Sequence, residues 1–518
     1  MEFKKKKNLL LNITSYVLIF VYCYFFYVRL SFDLKLPLAH DVTIFATVGR
    51  GIVNGFMPYV DMLELKPVGI FLLNFLSYKL TGSLLFSYIF LILCLTIVFL
   101  LPMLFVGIKI ANKRDNSIFY YTLAICLSSL FTIYGDLKGG RLLPEFFGAF
   151  FSCLYIFILN TNFHILRKRW SYLVLGLLMC VACNFKEPFL LIILSSSIIF
   201  SDSFKSFYQK FIIPFFIACV MGGGFLLCIN LLFPYLEYLY YMVFVLSVSD
   251  GQTIIERTFG DINNIFNQLN FSYPVSGYIF YMLLMFPIFE ILFKKNGEFF
   301  KLKNKILRII KIAIALFITT MGIHSSGRYY VQHDGFSFPF IFALSIYFLR
   351  SVKFNRKLGK NCTVVIYVSL ALIAFNCEIE RIRTLHNDYF YFYKDYMQEN
   401  DSNAKYIDAV LDKINEKTYV YIGSYGFNIL ACTKHSPKGK YFFQGDNWNG
   451  EKLPNFYEDI SKSVENAKIV VFNGYYDDKL KNKIEPILKS DFTTKIPDSL
   501  KSIDSPHSHY TIYYSKKL

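Results

Sequence analysis

Charge is scarce in this sequence. Only 18% of its 518 residues are Asp, Glu, Lys or Arg and 55% are hydrophobic, against about 25% and 45–50% in an average soluble domain. An ordinary soluble globular protein is excluded on that ground. Glycine, at 28 residues, and proline, at 16, are too few for a collagen-like or low-complexity disordered chain. Cysteine supplies no disulfide framework, because most of the 11 lie within apolar stretches. Cys180-x-x-Cys183 sits in one of these without the neighbouring βαβ pattern of a redox site, so packing accounts for it. The eight histidines are scattered and none stands at zinc spacing to a cysteine, so no metal-ligand set is legible. Internal repeats are also lacking.

Long apolar runs are what the chain has in quantity. A helix needs about 20 mainly apolar residues to cross a hydrocarbon core about 30 Å thick, at 1.5 Å rise per residue. About eleven such stretches occur, near residues 9–30, 84–108, 117–134, 144–160, 170–185, 188–201, 211–235, 271–293, 307–323, 335–350 and 362–377. The first follows Lys4 to Lys7 but is too long for a signal peptide, and no small-residue cleavage site follows it, so it reads as a retained anchor.

The net charge of +17 does not point to nucleic acid. Residues 377–518 hold 20 basic and 20 acidic side chains, whereas residues 1–376 hold 34 and 17, so the whole excess lies in the hydrophobic part. It is also placed asymmetrically along that part. Lys4 to Lys7, Lys109 to Arg114, Arg167 to Arg169, Lys205 and Lys210, Lys294 to Lys311 and Arg350 to Lys360 fall in alternate loops and carry 24 of the 34. The positive-inside rule puts these loops and the amino terminus in the cytoplasm, and eleven spans put the carboxyl-terminal part outside. A bacterial inner (plasma) membrane is the expected setting. The expected fold is a polytopic α-helical membrane protein, with a transmembrane domain over residues 1–376 and an extracytoplasmic α/β domain over 377–518.

In that second domain a helix-like segment reaches Lys417, and Tyr419 to Gly423 reads as a strand ending in a turn. Lys440 to Gln444, Lys468 to Phe472 and His509 to Tyr514 are further strand candidates, with helical patterns near 453–466 and 478–489. Strands alternating with helices argue for a small α/β unit. Gly423-Ser424-Tyr425-Gly426 lacks the Gly-x-Gly-x-x-Gly fingerprint of a nucleotide loop.

Candidate chemistry concentrates in the long loop 31–66, expected outside the membrane, which holds Asp41, Asp61, Glu64 and Lys66. Asp41 begins an amphipathic segment, where an acid also serves simply to cap a helix. Asp41, Asp61 and Lys66 are joined by Gly55-Phe56-Met57-Pro58-Tyr59, a turn that would fold the loop back toward the membrane face. Arg50, Lys66, Arg141, Lys186 and Arg328 are basic residues that remain outside against the topological trend. Snorkelling or pairing with a nearby acid is the plain account of each. Lys186-Glu187-Pro188 sits at a hairpin tip between apolar spans, where a charge pair is costly unless it faces a cavity or partner. Glu145 follows Pro144 at a helix start, which is ordinary amino-terminal chemistry. Tyr329, Tyr330 and the Tyr235 to Tyr241 cluster fit an interfacial aromatic belt, and could also stack on sugar.

Asp41-x-x-x-Phe45-Ala46, Gly49-Arg50-Gly51, Gly55-x-x-Pro58-Tyr59-x-Asp61 and Lys66-Pro67, in this order and spacing, resemble the polytopic GT-C glycosyltransferases of the protein O-mannosyltransferase and lipid A aminoarabinose transferase type (glycosyltransferase family 39-like). Gly139-Gly140-Arg141-Leu142-Leu143-Pro144-Glu145, and Gly327-Arg328-Tyr329-Tyr330-Val331-Gln332-His333 with Phe338-Pro339, extend the likeness over most of residues 1–376. The chain departs from the pattern at three places. Val42 follows Asp41 where the family often has a second acid, whose role is then unfilled or supplied elsewhere. Val68 follows Lys66-Pro67 where a second proline is common, and Asp334 stands in the usual place of tyrosine after His333.

The resemblance implies inverting transfer of a sugar from a polyprenyl-phosphate donor to an acceptor hydroxyl at the outer membrane face. The acceptor would be an envelope glycolipid, glycan or protein. It implies Asp41 as general base, with Asp61, Lys66, Arg50, Arg141, Glu145, Lys186, Glu187, Arg328 and His333 as candidate substrate-binding residues. A carboxylate at the interface can take a proton from the acceptor, and cations can hold the leaving phosphate. No cofactor is expected beyond the lipid-linked donor itself. Two other readings stay open: a flippase or transporter for a lipid-linked glycan, which would share the many spans and the few cavity-facing charges, and an O-antigen polymerase or ligase.

Overall fold

A computed structural model describes residues 16–28, 40–109, 117–134, 142–161, 168–241, 300–324, 338–351, 394–423, 427–444, 450–503 and 510–518, together with a few single positions. Helix dominates. In chain order the first part comprises α1 (Tyr16–Val28), α2 (His40–Val53), α3 (Val68–Thr81), α4 (Leu85–Lys109), α5 (Ser117–Tyr134), α6 (Pro144–Thr161) and α7 (Lys168–Phe185). It continues with α8 (Phe189–Ile199), α9 (Phe204–Cys228, with a π-turn at Tyr208–Ile212), α10 (Leu232–Tyr240), α11 (Phe300–His324) and α12 (Phe338–Ser351).

Among the described residues three helices, α4, α6 and α9, are long and apolar enough to cross a membrane. Their outward faces suit lipid. On α4, Leu85, Ile89, Leu93, Leu100, Leu104 and Ile108 recur at helical spacing and are all exposed. On α9, Phe216 and Val220 are among the most exposed apolar side chains. A continuous apolar stripe of this size is foreign to a water-facing surface. Stretches 271–293 and 362–377 lie outside the described residues.

Two features differ from the expectation. Helix α3 lies within a region expected to hold no span. It has 14 residues, hence about 21 Å, too short to cross a bilayer unaided. The run expected at 211–235 is divided: α9 ends at Cys228 and Asn230 takes a left-handed φ of 57° before α10 begins. Continuous apolarity hid this break, because the turn is made by one backbone torsion.

Close packing places α3. A Cβ on Gly69 would come within 2.5 Å of the Asn184 carbonyl oxygen. The first turn of α3 therefore abuts the last turn of α7, and Lys66, just before α3, is carried to Lys186, just after α7. Likewise a Cβ on Gly49 would fall 2.5 Å from Cβ of Asn74, which lets α2 lie directly on α3.

The carboxyl-terminal part forms α13 (Lys394–Lys413), β1 (Thr418–Ile422), α14 (Phe427–Cys432), β2 (Ser436–Pro437), α15 (Phe456–Glu465), β3 (Ile469–Phe472), α16 (Asp478–Asp491), β4 (Phe492–Thr493) and β5 (Thr511–Ser515). The sheet order is β2-β1-β3-β5-β4. The pairs β1–β2 and β1–β3 are parallel, while β5 runs antiparallel between β3 and β4. Strands β1 and β3 are buried over most of their length, as parallel strands covered on both faces are. Asp477 caps α16, accepting from the Leu480 amide at 2.7 Å.

Residues 440–444 do not form the expected strand. They make a turn in which Tyr441, Phe442, Phe443 and Gln444 are all buried, a pattern incompatible with side chains alternating between a buried and an exposed face. The sheet position beside β1 belongs to Ser436–Pro437 instead.

This part is seated on α2 and the loop after it. Arg50 donates through Nη2 to the Leu430 carbonyl, and to Oγ1 of Thr433 at 3.3 Å. Asn54 Nδ2 donates to Oγ of Ser436 at 2.7 Å, and the Leu63 amide to the Lys440 carbonyl at 2.7 Å. Helix α2 is thus covered on one side by α3 and on another by α14, which is why residues 42–50 are buried almost without exception.

Candidate functional site

The segment between α2 and α3 is folded into a rigid turn. Gly55, at φ 93°, reverses the chain. The Asp61 side chain then closes a loop on itself: its Oδ2 accepts from the Met57 amide at 2.7 Å, while its own amide donates to the Met57 carbonyl at 2.9 Å. Tyr59 occupies φ 67°, an uncommon conformation for a bulky residue. It is held there by stacking on Tyr238 with ring centroids 5.2 Å apart, and by a 2.8 Å bond from its hydroxyl to the Lys66 carbonyl. The turn therefore delivers Glu64 and Lys66 to a fixed place beside the start of α2, where Asp41 sits half-buried in the first helical turn.

Opposite lies the tight connection from α7 to α8. Lys186 pairs through Nζ with Oε1 of Glu145, in the first turn of α6, at 3.3 Å, and these side chains are only 5% and 2% exposed. Glu187 Oε1 accepts from the hydroxyls of Tyr235 and Tyr238 on α10, each at 3.2 Å. Lys66 Nζ lies 5.9 Å from the centre of the Phe45 ring.

Electrostatics tie these groups into one cluster. Burial, at 6% exposure, and secondarily the negative charge of Asp41 push the Glu64 carboxyl up to about 7, against the pull of Lys66 and Lys186. Burial and then the charge of Lys66 lower the Lys186 ammonium, opposed by Glu145 and Glu187. Burial raises Glu187, with Lys186 opposing it. Oε2 of Glu64 and Oε2 of Glu145 have no hydrogen-bond partner among the described residues. A buried carboxylate oxygen without a donor is expensive.

Of the residues singled out from sequence, Asp41, Lys66, Glu145, Lys186 and Glu187 come together here. Arg50 and Asp61 do not join them: Arg50 holds the carboxyl-terminal part, and Asp61 closes its own turn. Arg141, Arg328 and His333 lie outside the described residues. Glu64 of the candidate loop, Tyr59 of its turn, and Tyr235 and Tyr238 of the aromatic cluster join them. Tyr235 and Tyr238 face a carboxylate, while Tyr240 is 58% exposed. Among the described residues no group of three or more metal-ligating side chains occurs.

A carboxyl whose folded pKa exceeds its unfolded value binds its proton more tightly in the fold, so its contribution to stability is lost as pH rises between the two. For Glu64 the window runs from the ordinary 4.5 to about 7, and the loss amounts to about 3 kcal/mol. Thermal unfolding of the solubilised protein is expected to show wild type losing stability between pH 5 and 7.5 relative to Glu64→Gln. Parallel pH profiles would contradict the buried assignment of this group.

The chain matches no family model and no curated protein. Fold and site together describe a mostly helical protein with helices long and apolar enough to span a membrane, a small carboxyl-terminal sheet seated on its first loop, and a buried cluster of acids and lysines where helix ends meet.

Proposed function

We propose that this chain is an integral-membrane glycosyltransferase of the GT-C type. It moves a sugar from a polyprenyl-phosphate donor to an acceptor hydroxyl at the outer face of a bacterial inner membrane. In this reading about eleven helices span the bilayer, the basic loops are cytoplasmic, and the carboxyl-terminal domain is extracytoplasmic. The single observation that carries the proposal is the buried assembly of Asp41, Glu64, Lys66, Glu145, Lys186 and Glu187 at the ends of apolar helices. Ionisable groups at such a depth are costly and mark functional sites by default, and a lipid-linked anion is a substrate that can reach them from the bilayer.

The chemistry follows from the parts. Asp41 takes the proton of the acceptor hydroxyl as its oxygen bonds to the anomeric carbon. The bond from that carbon to the donor phosphate oxygen breaks on the opposite face, and its electron pair leaves on the phosphate. Lys66 and Lys186 offset the charge gathering there, where a low-dielectric setting strengthens each contact. One displacement gives inversion.

The test uses the full chain reconstituted in vesicles with isotope-labelled lipid-linked sugars extracted from the source membrane. Release of free polyprenyl phosphate together with a glycoside of inverted anomeric configuration, read by NMR, is the expected result. Passage of the intact lipid-linked sugar across the bilayer, with no bond cleaved, would overturn it in favour of transport.

A further inference from the structure

Glu64 is the acid of the cluster to which the sequence assigned no role, and its surroundings give it a distinct part. Among the described residues the cluster contains four carboxyls, on Asp41, Glu64, Glu145 and Glu187, and two ammonium groups, on Lys66 and Lys186. Glu145 is engaged with Lys186 through one oxygen, and Glu187 accepts from two tyrosines. Asp41 lies half-buried in the first turn of α2. Glu64 accepts from the Leu65 backbone amide but has neither a paired cation at bonding distance nor a donor on Oε2, and it is almost wholly buried. The groups acting on it are Asp41 from α2, Lys66 from its own loop and Lys186 from the α7–α8 turn, with the neutral hydroxyl of Tyr59 nearby.

An arriving phosphate diester would add one more negative charge to a site in which, among the described residues, carboxyls already outnumber ammonium groups. Two anions cannot share a dry pocket cheaply, so one must be neutralised. Neutral Glu64 would also gain what it lacks as an anion, because a protonated carboxyl carries an O–H donor and a phosphate oxygen is a strong acceptor. We propose that Glu64 takes up a proton from solvent when the donor binds and holds the phosphate as a neutral acid, its Oε2–H donating to a phosphate oxygen beside Lys66 and Lys186. This rests on the glycosyltransferase reading only in requiring that the ligand be a lipid-linked phosphate. It assigns Glu64 to binding the donor and leaves the acceptor's proton to Asp41.

The probe is a polyprenyl methyl phosphate, a diester whose single charge does not change between pH 6 and 8. Its binding to the full chain in lipid nanodiscs is measured at both pH values for wild type and Glu64→Gln. A group titrating near 7 in the unliganded site is about 90% protonated at pH 6 and about 10% at pH 8, so wild-type affinity should fall about tenfold. Glu64→Gln, locked neutral but able to donate, should bind equally at both and close to wild type at pH 6. Wild-type affinity that is flat with pH, or a variant that keeps the tenfold fall, would overturn the proposal. Binding by neither protein at any pH would overturn the lipid-phosphate reading itself, which makes the two failures distinguishable. If Glu64→Gln fails to fold, wild type alone decides. Binding heats at pH 7.5 in buffers of different ionisation enthalpy should show uptake of roughly three-quarters of a proton per diester, and zero uptake would overturn the proposal.

Discussion

Asp41→Asn is expected to lower the rate of sugar transfer by about 10²–10⁴-fold, the usual contribution of a positioned general base, while leaving abundance and membrane insertion unchanged. The two effects separate because the substitution is nearly isosteric. Asn keeps the size and the hydrogen-bonding oxygen of Asp, and at a helix start it is as acceptable as Asp. What the fold loses is one charge near the positive end of α2, worth about 0.3–1 kcal/mol at an exposed terminus. What catalysis loses is the only acceptor proposed for the proton, equivalent to about 3–5.5 kcal/mol in the barrier. Rates are to be compared at equal amounts of folded protein, with binding of the diester probe as the control for an intact site. Full activity in the variant would remove Asp41 from the reaction and pass the role to another acid of the cluster.

The second large effect concerns the pair between α6 and the α7–α8 turn. Lys186→Met is expected to cost about 3–5 kcal/mol of stability, because it strands the Glu145 carboxylate in a site where that side chain is 2% exposed. Adding Glu145→Leu should recover most of the loss, since two apolar side chains of similar volume need no counter-charge. Unfolding of both variants in the same detergent measures this. A double variant no more stable than the single one would show that the two residues do not act on one another. Transfer should stay well below wild type in both, because only Lys66 is left to offset charge on the leaving phosphate. The comparison therefore separates the pair's contribution to the fold from its contribution to the site.

How much of this was legible in the sequence depended on how local the cause was. Apolar length is a local property, so the stretches read at 84–108, 144–160 and 170–185 agree with α4, α6 and α7 to within a few residues. Periodicity likewise disclosed α15 and α16, whose apolar residues recur at helical spacing, and the strands Thr418–Ile422 and Ile469–Phe472. Helix α3 was not legible as an element because its 14 residues fall below the length that a membrane reading looks for. The strand expected at 440–444 failed for the converse reason. Its apolar run was real, but it serves to plug a turn against the first loop, whose Leu63 amide bonds to Lys440.

The site follows the same division. Asp41, Lys66 and the Lys186-Glu187 step stood out because charge in an apolar setting is visible in any window of sequence. Arg50 stood out for that reason too, yet its partners Leu430 and Thr433 lie some 380 positions away, so its part in seating the carboxyl-terminal domain could be read only from the folded chain. Glu64 shows the limit most clearly. Nothing in its neighbours along the chain sets it apart from Asp61, three residues earlier. Asp61 turns to its own backbone, whereas Glu64 is buried, with the charges of Asp41, Lys66 and Lys186 acting on it, by the packing of α3 on α7 and of α10 on Tyr59.

The central claim is that this chain adds one sugar to an envelope acceptor by chemistry that needs Asp41. The most direct test is mass spectrometry of envelope glycolipids, glycans and glycoproteins from cells lacking the protein, complemented with wild type or Asp41→Asn at matched expression. The account predicts that one glycoconjugate loses the mass of a single sugar residue and that only wild type restores it. Restoration by both proteins would contradict it, because the chain would then act without Asp41, and transport of a lipid-linked intermediate would become the better account.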